Sequence, residues 1–486
     1  MSTALVVLLL VPLVPAILAA FAPARVAEAA TLVAGLVCFA LTVVVVPTAA
    51  NHPIHVGFLR VDALSAVFLL ATGFLYATTA GYAIGYLRGE ESVAYTRRFY
   101  LGLNVFAWSM LAAPAVNGLA LLWIAIEITT VVSALLVAIE DTDGAVEASW
   151  KYVLLASAGL GIALLATIFM YYAGARVLGN SYDLAFAPLL AAGHALPHTA
   201  VRLAFVLAVL GFGTKVGLFP VHTWLPDAHS EAPTPISAML SGALLATSFY
   251  AVLRFYQIAV AALGPRFPQT VLLVFGVASL ALAALYLLDQ GDIKRMLAYS
   301  SVEHMGILAI GVSFGAPLAL FGALLHVLAH AAAKGNAFFG AGILVRKYAT
   351  KDLNSLRGAM GVLPWTAPLF LLAVLALSAM PPFGIFRSEF AIVAGGLQAS
   401  RNTGTVILVA LVTLAFLGLS AATTRVIYTP DPAPEGAAAV VRGEVSAWMV
   451  APMVAGIAAL LLLGVHPPAD LSDLLTKAAA ALQGAP

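Results

Sequence analysis

Three charged side chains stand inside long apolar stretches of this sequence. Glu127 lies in the run WIAIEITTVV, Lys215 lies in FVLAVLGFGTKV, and Glu389 lies in FRSEFAIV. A charge at the depth of a lipid bilayer costs at least about 2.5–3.5 kcal/mol, so such residues generally serve a function. An opposite charge nearby favours the charged form of a buried lysine, and its withdrawal favours the neutral form. Pairing Glu127 with Lys215 and then separating them would therefore move a proton on and off the lysine. A purely structural ion pair is the alternative that the sequence leaves open.

Two histidines and a lysine form a second polar pattern further along the chain. His326, His330 and Lys334 are spaced four residues apart, so they line one face of a helix with about 6 Å of rise between neighbours. That spacing suits proton transfer through bridging water, and histidine exchanges protons near neutral pH. A packed structural pair of histidines is the alternative. A metal site is not predicted, because no glutamate follows His326 as in the metalloprotease motif and no third ligand is evident nearby.

Glu389 is the predicted terminal group of the same relay, with a charge at the membrane interface as the alternative. Arg387 precedes it by two residues, and residues two apart on a helix point in different directions, so the two are not expected to neutralise each other. His222, Glu303 and His304 are possible further members. For Glu303 and His304, a place near the membrane surface is an equally good interpretation.

The composition identifies the setting of these residues. The chain has 486 residues, of which 62% are hydrophobic and 9% charged, with a mean hydropathy of +1.03. Soluble domains carry about 25% charged residues, so this is a polytopic membrane protein. Apolar runs of about 20 residues recur along the chain and predict about 14 transmembrane helices. The runs do not alternate as barrel strands do, so the fold is all-α. The formal net charge is +1, which argues against nucleic-acid binding.

Three of the predicted spans contain interruptions. These lie at 217–220, at 334–336 and at 380–384, where glycine, proline or polar residues break the apolar runs. Broken helices at membrane depth are tolerated only where they pack in protein or line a watery cavity. Breaks at matching places in two halves of a chain are typical of ion pathways built from inverted repeats.

The distribution of basic residues predicts the orientation. Loops after odd-numbered spans hold more Lys and Arg than loops on the other side, so the positive-inside rule places both termini outside the cytoplasm. The first basic residue is Arg25, so we expect the first span to remain in the mature protein and not to act as a cleaved signal. The expected location is the inner, cytoplasmic membrane of a bacterium or archaeon.

Cys38 is the one cysteine in the sequence. It cannot alone form a disulfide, a zinc site or an iron–sulfur cluster. No phosphate-binding loop is present, which argues against an ATP-driven pump carried by this chain. Any redox chemistry must therefore belong to partner subunits.

Two long motifs carry a family resemblance. KVGLFPVHTWLPDAHSEAPTPISAMLSG (215–242) and DIKRMLAYSSVEHMG (292–306) resemble the antiporter-like membrane subunits shared by NADH:quinone oxidoreductase (complex I), multisubunit cation/proton (Mrp) antiporters and membrane-bound nickel–iron hydrogenases. AVEASWKYVLLASAGLGIAL (145–164) and TPISAM (234–239) are most similar to component F of hydrogenase-4, the formate hydrogenlyase type. The resemblance implies 14 helices with two inverted five-helix repeats. The expected divisions are helices 1–3 in 1–98, the first repeat in 99–260, the second in 261–428, and a last helix with a short tail in 429–486.

The resemblance also implies roles for single residues. Glu127 corresponds to the fifth-helix glutamate and Lys215 to the lysine of the broken seventh helix. Three residues, His326, His330 and Lys334, correspond to the eleventh-helix group that links the half-channels. Glu389 corresponds to the exit group of the twelfth helix. Many quinone-reductase relatives carry a lysine in the eighth helix, and residues 244–248 hold none. The chain also ends about 20 residues after its last predicted span, too soon for the long lateral helix of the distal subunit type.

The function that these features predict is proton translocation by a membrane subunit of a redox-driven respiratory complex. The subunit would catalyse no redox reaction itself and hold no cofactor. Its expected partners are other membrane subunits and a peripheral redox arm with iron–sulfur and nickel–iron or flavin centres. The first alternative is a subunit of a multisubunit sodium/proton antiporter. The second is a membrane anchor that has lost transport.

Overall fold

The structure is a computed structural model that describes residues 1–429 and 440–484. The regular secondary structure of these residues is helical apart from one short hairpin, in which β1 (Ile54–Val56) pairs antiparallel with β2 (Leu59–Val61). The predicted last division, 429–486, includes residues 430–439 and 485–486, which lie outside the described residues. The helices are α1 (Ser2–Phe21), α2 (Ala24–Asn51), α3 (Ala63–Tyr86), α4 (Val93–Ala112), α5 (Leu119–Val137), α6 (Asp143–Leu178), α7 (His198–Val216), α8 (Trp224–Glu231), α9 (Thr234–Leu263), α10 (Arg266–Tyr286), α11 (Ile293–Phe314), α12 (Pro317–Tyr348), α13 (Thr366–Leu377), α14 (Gly384–Gln398), α15 (Asn402–Tyr428), α16 (Ala447–Val465) and α17 (Ala469–Leu482), with two short helices, Phe186–Ala192 and Ala359–Val362, in connections.

The number of membrane segments agrees with the prediction. Twelve helices of the described chain are long and apolar enough to cross a membrane. With α4 and the broken helix α13–α14 they make 14 segments, so the all-α polytopic fold is confirmed. The helix α17 was not predicted. Its apolar side chains recur with helical spacing at Leu471, Leu474, Leu475 and Leu482 and are buried against the bundle, a pattern that marks an amphipathic helix.

The central helices are the buried ones. α9 is buried along its whole apolar length, and α11 and α12 are buried nearly as completely, whereas α1 and α15 are mostly exposed. Helices exposed all round to lipid need only apolar side chains, but a central helix can hold polar ones because protein surrounds it. The polar candidates on α11 and α12 therefore stand where a protein interior can receive them.

Two of the three predicted breaks are present. In the first, α7 ends at Val216, Gly217 adopts a left-handed conformation with φ of 84°, and α8 begins at Trp224. The backbone N–H of Phe219 donates a hydrogen bond to the hydroxyl of Ser279 on α10 at 2.9 Å. The indole N–H of Trp224 donates to the carbonyl of Thr214 at 2.7 Å. Neighbouring helices thus satisfy backbone groups that lipid could not.

The second break separates α13 from α14. α13 ends at Leu377 and α14 begins at Gly384, with residues 378–383 between them. A Cβ atom on Gly384 would approach the side chain of Leu463 on α16 to 2.9 Å. The glycine thus lets the start of α14 lie against α16 without a clash.

The predicted interruption at 334–336 is wrong, because α12 runs without a break from Pro317 to Tyr348. The polar side chains there bond outward from an intact helix. Lys334 donates to the carbonyl of Leu297 at 2.9 Å, and Asn336 donates to the carbonyl of Met453 at 2.9 Å. Polar residues within an apolar run therefore mark contacts between helices here, and not a break.

A buried ion pair fixes the start of α3 against α9. The guanidinium of Arg254, which is 1% exposed, donates to Asp62 at 2.6 Å, to the hydroxyl of Tyr250 at 2.9 Å and to Ser65 at 3.0 Å. Burial alone would raise the pKa of Asp62, but the charge and hydrogen bond of Arg254 lower it to about 2. Such a pair is stable only because each of its groups is also hydrogen-bonded.

Candidate functional site

Lys215 is held where three elements meet beside the first break. It lies in the last turn of α7 and is fully buried. Its ammonium donates to the hydroxyl of Thr130 on α5 at 2.7 Å and to the hydroxyl of Tyr152 on α6. The ring of Tyr152 packs on Trp224 of α8 with 4.4 Å between centroids, and its hydroxyl shares a 2.7 Å hydrogen bond with Ser133. A change in the position of either half of the broken helix would therefore alter the partners of this lysine.

Glu127 stands one turn before Thr130 on the same helix. It is half-buried, and its Oε2 atom is enclosed without a hydrogen-bond partner in the described part of the chain. No ion pair joins Lys215 to a carboxylate among residues 1–429 and 440–484. The structure thus brings the predicted partners to the same contact between helices but places the hydroxyl of Thr130 against the lysine.

The histidines of α11 and α12 form one fully buried cluster. Nδ1 of His304 lies 3.0 Å from Nε2 of His326, and Nδ1 of His326 lies 3.0 Å from the hydroxyl of Ser388 on α14. The ring centre of His330 is 5.2 Å from that of His304 and 6.2 Å from that of His326. His304, which the sequence left equally close to the membrane surface, is a member of this cluster and is not at the surface.

The hydrogen bonds of the cluster have a direction. When the hydroxyl of Ser388 donates to the carbonyl of Ile385 at 2.7 Å, its oxygen accepts from Nδ1–H of His326. Nε2 of neutral His326 is then unprotonated and accepts from Nδ1–H of His304. His304 is left with an unprotonated Nε2 that has no partner among the described residues. A proton added at Nε2 of His304 would displace protons along this chain towards Ser388.

Two carboxylates adjoin the cluster. Glu389 follows Ser388 on α14, and it offers an oxygen within 4.8 Å of ring nitrogens of His304 and His326. Glu303 precedes His304 on α11 and is 2% exposed. Each carboxylate has one buried oxygen without a partner in the described residues. Arg387 donates away from Glu389, to backbone carbonyls at the end of α16, which agrees with the expectation that the two do not neutralise each other.

Lys334 lies on the same face of α12 as the histidines, two turns from His326. Its ammonium donates to the carbonyl of Leu297 at 2.9 Å and to the hydroxyl of Ser300, both on α11. His326 and His330 also meet α11, through His304. The predicted shared face of the three residues is therefore the face that packs on α11.

His222 and His229 lie on the segment that continues the first break. His222 is 6% exposed and contacts Phe219, and the structure does not join it to the other candidates. His229, on α8, is fully buried and stacks on Phe338 at 5.3 Å, one turn beyond Lys334. Neither of its ring nitrogens has a partner among the described residues. His229 lies within the motif at 215–242, but the sequence has no signal for its burial against α12.

Buried polar atoms without protein partners are concentrated in these residues. They occur on Glu127, His229, Glu303, His330 and Glu389, among others of the described chain. Leaving a buried donor or acceptor unsatisfied costs about 1–3 kcal/mol, and bridging water is the usual partner at such sites. The arrangement suits transfer of protons along a hydrated line of titratable groups.

Comparisons with known proteins identify the family of the chain. The family model described as NADH:quinone oxidoreductase/Mrp antiporter, transmembrane region, matches residues 116–417. A hydrogenase-4 component F homolog of Methylacidiphilum infernorum is 37% identical over 367 residues, which cover 73% of this chain and 76% of that relative. This chain belongs to that family of antiporter-like membrane subunits. The resemblance read from the motifs at 215–242 and 292–306 is thereby confirmed.

The fold of this antiporter-like subunit is also that of solved relatives. A chain of respiratory complex I from Thermus thermophilus is 25% identical with a TM-score of 0.83, and the match covers 99% of this chain and 100% of that one. A chain of the Mrp complex from Dietzia sp. has 22% identity and a TM-score of 0.86, with coverage of 99% and 98%. Both are subunits of membrane complexes, so this chain is a multi-pass membrane protein of the kind that has membrane partner subunits.

The contacts of Lys215 lead to a prediction for stability. Tyr152→Phe should lower the melting temperature of the purified subunit, because it removes a partner of a buried ammonium, a loss of about 1–3 kcal/mol. The same change in a Lys215→Met background should cost clearly less, since no buried charge remains to be satisfied. Thermal unfolding of the four members of this double-mutant cycle measures the difference. Tyr171→Phe, which removes an exposed hydroxyl bonded to a backbone carbonyl, is the control. Equal costs in both backgrounds would contradict the assigned contact.

Proposed function

We propose that this antiporter-like subunit translocates protons as part of a redox-driven respiratory complex of the hydrogenase-4 or NADH:quinone oxidoreductase type. The route runs from Lys215 past His229 to Lys334, then through His330, His304 and His326 to Glu389. The observation that carries the proposal is the continuous line of hydrogen-bond contacts from His304 through His326 to Ser388, which ends beside Glu389. The subunit performs no redox catalysis itself.

Glu127 is the residue through which a change of charge in a neighbouring subunit would act on this one. The outer face of α5 is exposed and apolar at Ile124, Val131 and Leu135, and half-buried Glu127 adjoins that face. A carboxylate facing lipid at this depth would be costly, so a partner subunit is expected to cover it. A change of charge in the partner would then act on Lys215 through Thr130.

The redox centres belong to other subunits in this proposal. Cys38 is buried in α2, and its thiol donates to the carbonyl of Leu8, the one hydrogen-bond acceptor it contacts among residues 1–429 and 440–484, so it is unsuited to ligate a cluster. Iron–sulfur centres, with nickel–iron or flavin centres, are expected in a peripheral arm attached to the partner membrane subunits. The names of the relatives, hydrogenase-4 and NADH-quinone oxidoreductase, support this assignment.

The proposed location is the inner membrane of a bacterium or archaeon, with both termini outside the cytoplasm. Basic residues gather at one end of the bundle, where Arg346 donates to the carbonyls of Tyr86 and Arg88.

The orientation is tested by labelling introduced cysteines in a Cys38→Ser background. Phe58→Cys, at an exposed position, should react with an impermeant thiol reagent added to intact cells. A cysteine at exposed Glu90 should react only after permeabilisation. The reverse pattern would overturn the orientation.

The function is tested by proton uptake into vesicles that contain the intact complex. Lys215→Ala should abolish most proton uptake at matched assembly and matched electron-transfer rate, because the buried carrier of the first half is lost. Lys477→Ala, which removes a partly exposed lysine on α17, should leave uptake unchanged. Undiminished uptake with Lys215→Ala would favour the anchor interpretation.

The direction of the histidine chain gives a second test. Ser388→Ala removes the acceptor for Nδ1–H of His326 and should lower proton uptake about tenfold or more, the cost of one lost hydrogen bond to an ionising group. Ser388→Thr keeps the hydroxyl and should retain most of the uptake. Equal loss in both variants would show that packing on α14, and not the hydroxyl, is what matters.

A sodium/proton antiporter subunit is the second candidate function. The likeness of the fold to a chain of the Mrp complex favours it. The two functions differ in their response to ions, because an antiporter requires sodium whereas a redox-driven proton pump does not. Proton uptake that depends on sodium and not on electron transfer would establish the second candidate.

A further inference from the structure

Ring nitrogens and a carboxylate from three helices converge in the histidine cluster. One ligand atom from each of His304, His326 and Glu389 lies within 4.8 Å of the other two, and all three residues are buried. His330 lies beside them, and neither of its ring nitrogens has a partner in the described residues. Proton transfer along the chain requires only some of these atoms, and it does not by itself explain why ligand atoms of His304, His326 and Glu389 lie so close together.

The spacing is close to that of ligands around a tetrahedral cation. Bonds of about 2.0–2.1 Å at tetrahedral angles place ligand atoms about 3.3 Å apart. Nδ1 of His304 and Nε2 of His326 are already 3.0 Å apart. One oxygen of Glu389 lies within 4.8 Å of one ring nitrogen of each histidine, so it would have to approach by at most about 1.5 Å, which rotation of a side chain supplies.

The donor set selects the class of cation. Two imidazoles and one carboxylate, with a fourth position for His330 or a water, are typical of Zn²⁺ and similar divalent transition cations. Calcium and magnesium prefer oxygen ligands throughout. The nitrogen of His326 that would not bind the cation is hydrogen-bonded to Ser388, which is the second contact that orients most metal-binding histidines.

We propose that His304, His326 and Glu389, with His330 or a water in the fourth position, form a site for a Zn²⁺-class cation that blocks proton transfer when occupied. The carboxylates of Glu389 and of neighbouring Glu303 offset the two positive charges. The ammonium of Lys334 is directed to the carbonyl of Leu297 and to Ser300, and not into the cluster.

Binding would replace the hydrogen bond between the two histidines. The cation takes the place of the proton shared by Nδ1 of His304 and Nε2 of His326, and that proton moves to the free Nε2 of His304. Two nitrogen–metal bonds form, one N–H bond breaks and one forms on the same ring, and no electron is exchanged. His304 then has no lone pair with which to accept a proton. Glu389, at 7% exposed, is the ligand that an entering cation reaches first.

The test measures binding of radiolabelled Zn²⁺ to the intact complex. Wild type should bind one saturable Zn²⁺ that His304→Gln and Glu389→Gln lose or bind more than about tenfold more weakly, since loss of even an outer-shell partner costs about 10–100-fold. His466→Gln, which removes an exposed histidine beyond the end of α16, should leave this site unchanged. Thermal unfolding confirms that each variant is folded, and His326→Gln replaces any that is not.

The metal site and its effect on proton transfer are contradicted by different results. Zn²⁺ binding that is absent from wild type, or equal in wild type and all folded variants, would overturn the site. Only the blocking effect rests on the proposed function, and it is tested by proton uptake in the wild-type complex at saturating Zn²⁺. Uptake that continues unchanged while Zn²⁺ is bound would leave the site standing and would show that protons do not pass through these histidines.

Discussion

The bilayer core contains no water, so every polar group that enters it must find a partner within the protein. Much of this structure follows from that constraint. The free N–H of Phe219 in the first break is satisfied by Ser279 from α10, and the carbonyl of Thr214 is satisfied by Trp224. Where the described residues supply no partner, as at both nitrogens of His330, the arrangement departs from what stability alone would favour, and that departure marks the site.

The same constraint separates the helices into two kinds. α1 and α15 can be apolar on most faces because lipid surrounds them, whereas α9, α11 and α12 are enclosed by protein. Enclosure is what permits titratable side chains at this depth without exposing them to lipid. It also brings residues far apart in sequence together, since His304, His326 and Ser388 come from three different helices. A polar line through the bundle is therefore a property of the packing and not of any one helix.

Features with a local signal could be predicted from the sequence. Length and hydropathy of the apolar runs gave the 14 segments, and Gly217 with its neighbouring prolines gave the first break, because both depend on adjacent residues. The shared face of His326, His330 and Lys334 followed from helical periodicity alone. The polar residues at 334–336 were misread as a break, since the sequence cannot show that Leu297 and Met453 supply their partners.

Contacts between distant helices left no such signal. The hydroxyl of Thr130 against Lys215, the burial of His229 and the position of Glu389 beside His326 all depend on how the helices cross. The amphipathic spacing of α17 was present in the sequence but lay in a short tail, where length favoured a loop. Hydropathy thus locates the charged residues along the chain, while the identity of their partners requires the tertiary structure.

The absence of a lysine from α9 shows how packing decides the route between the two halves. Thr247 and Ser248, in the stretch 244–248 that holds no lysine, bond to carbonyls of their own helix at 2.9 and 3.0 Å. They are therefore occupied locally and do not extend towards Lys215 or Lys334. His229 approaches instead from α8 and stacks on Phe338, one turn from Lys334. Because α8 is the second half of the broken helix that holds Lys215, the proposed link between the halves passes along that helix, and a lysine on α9 is not needed to complete it.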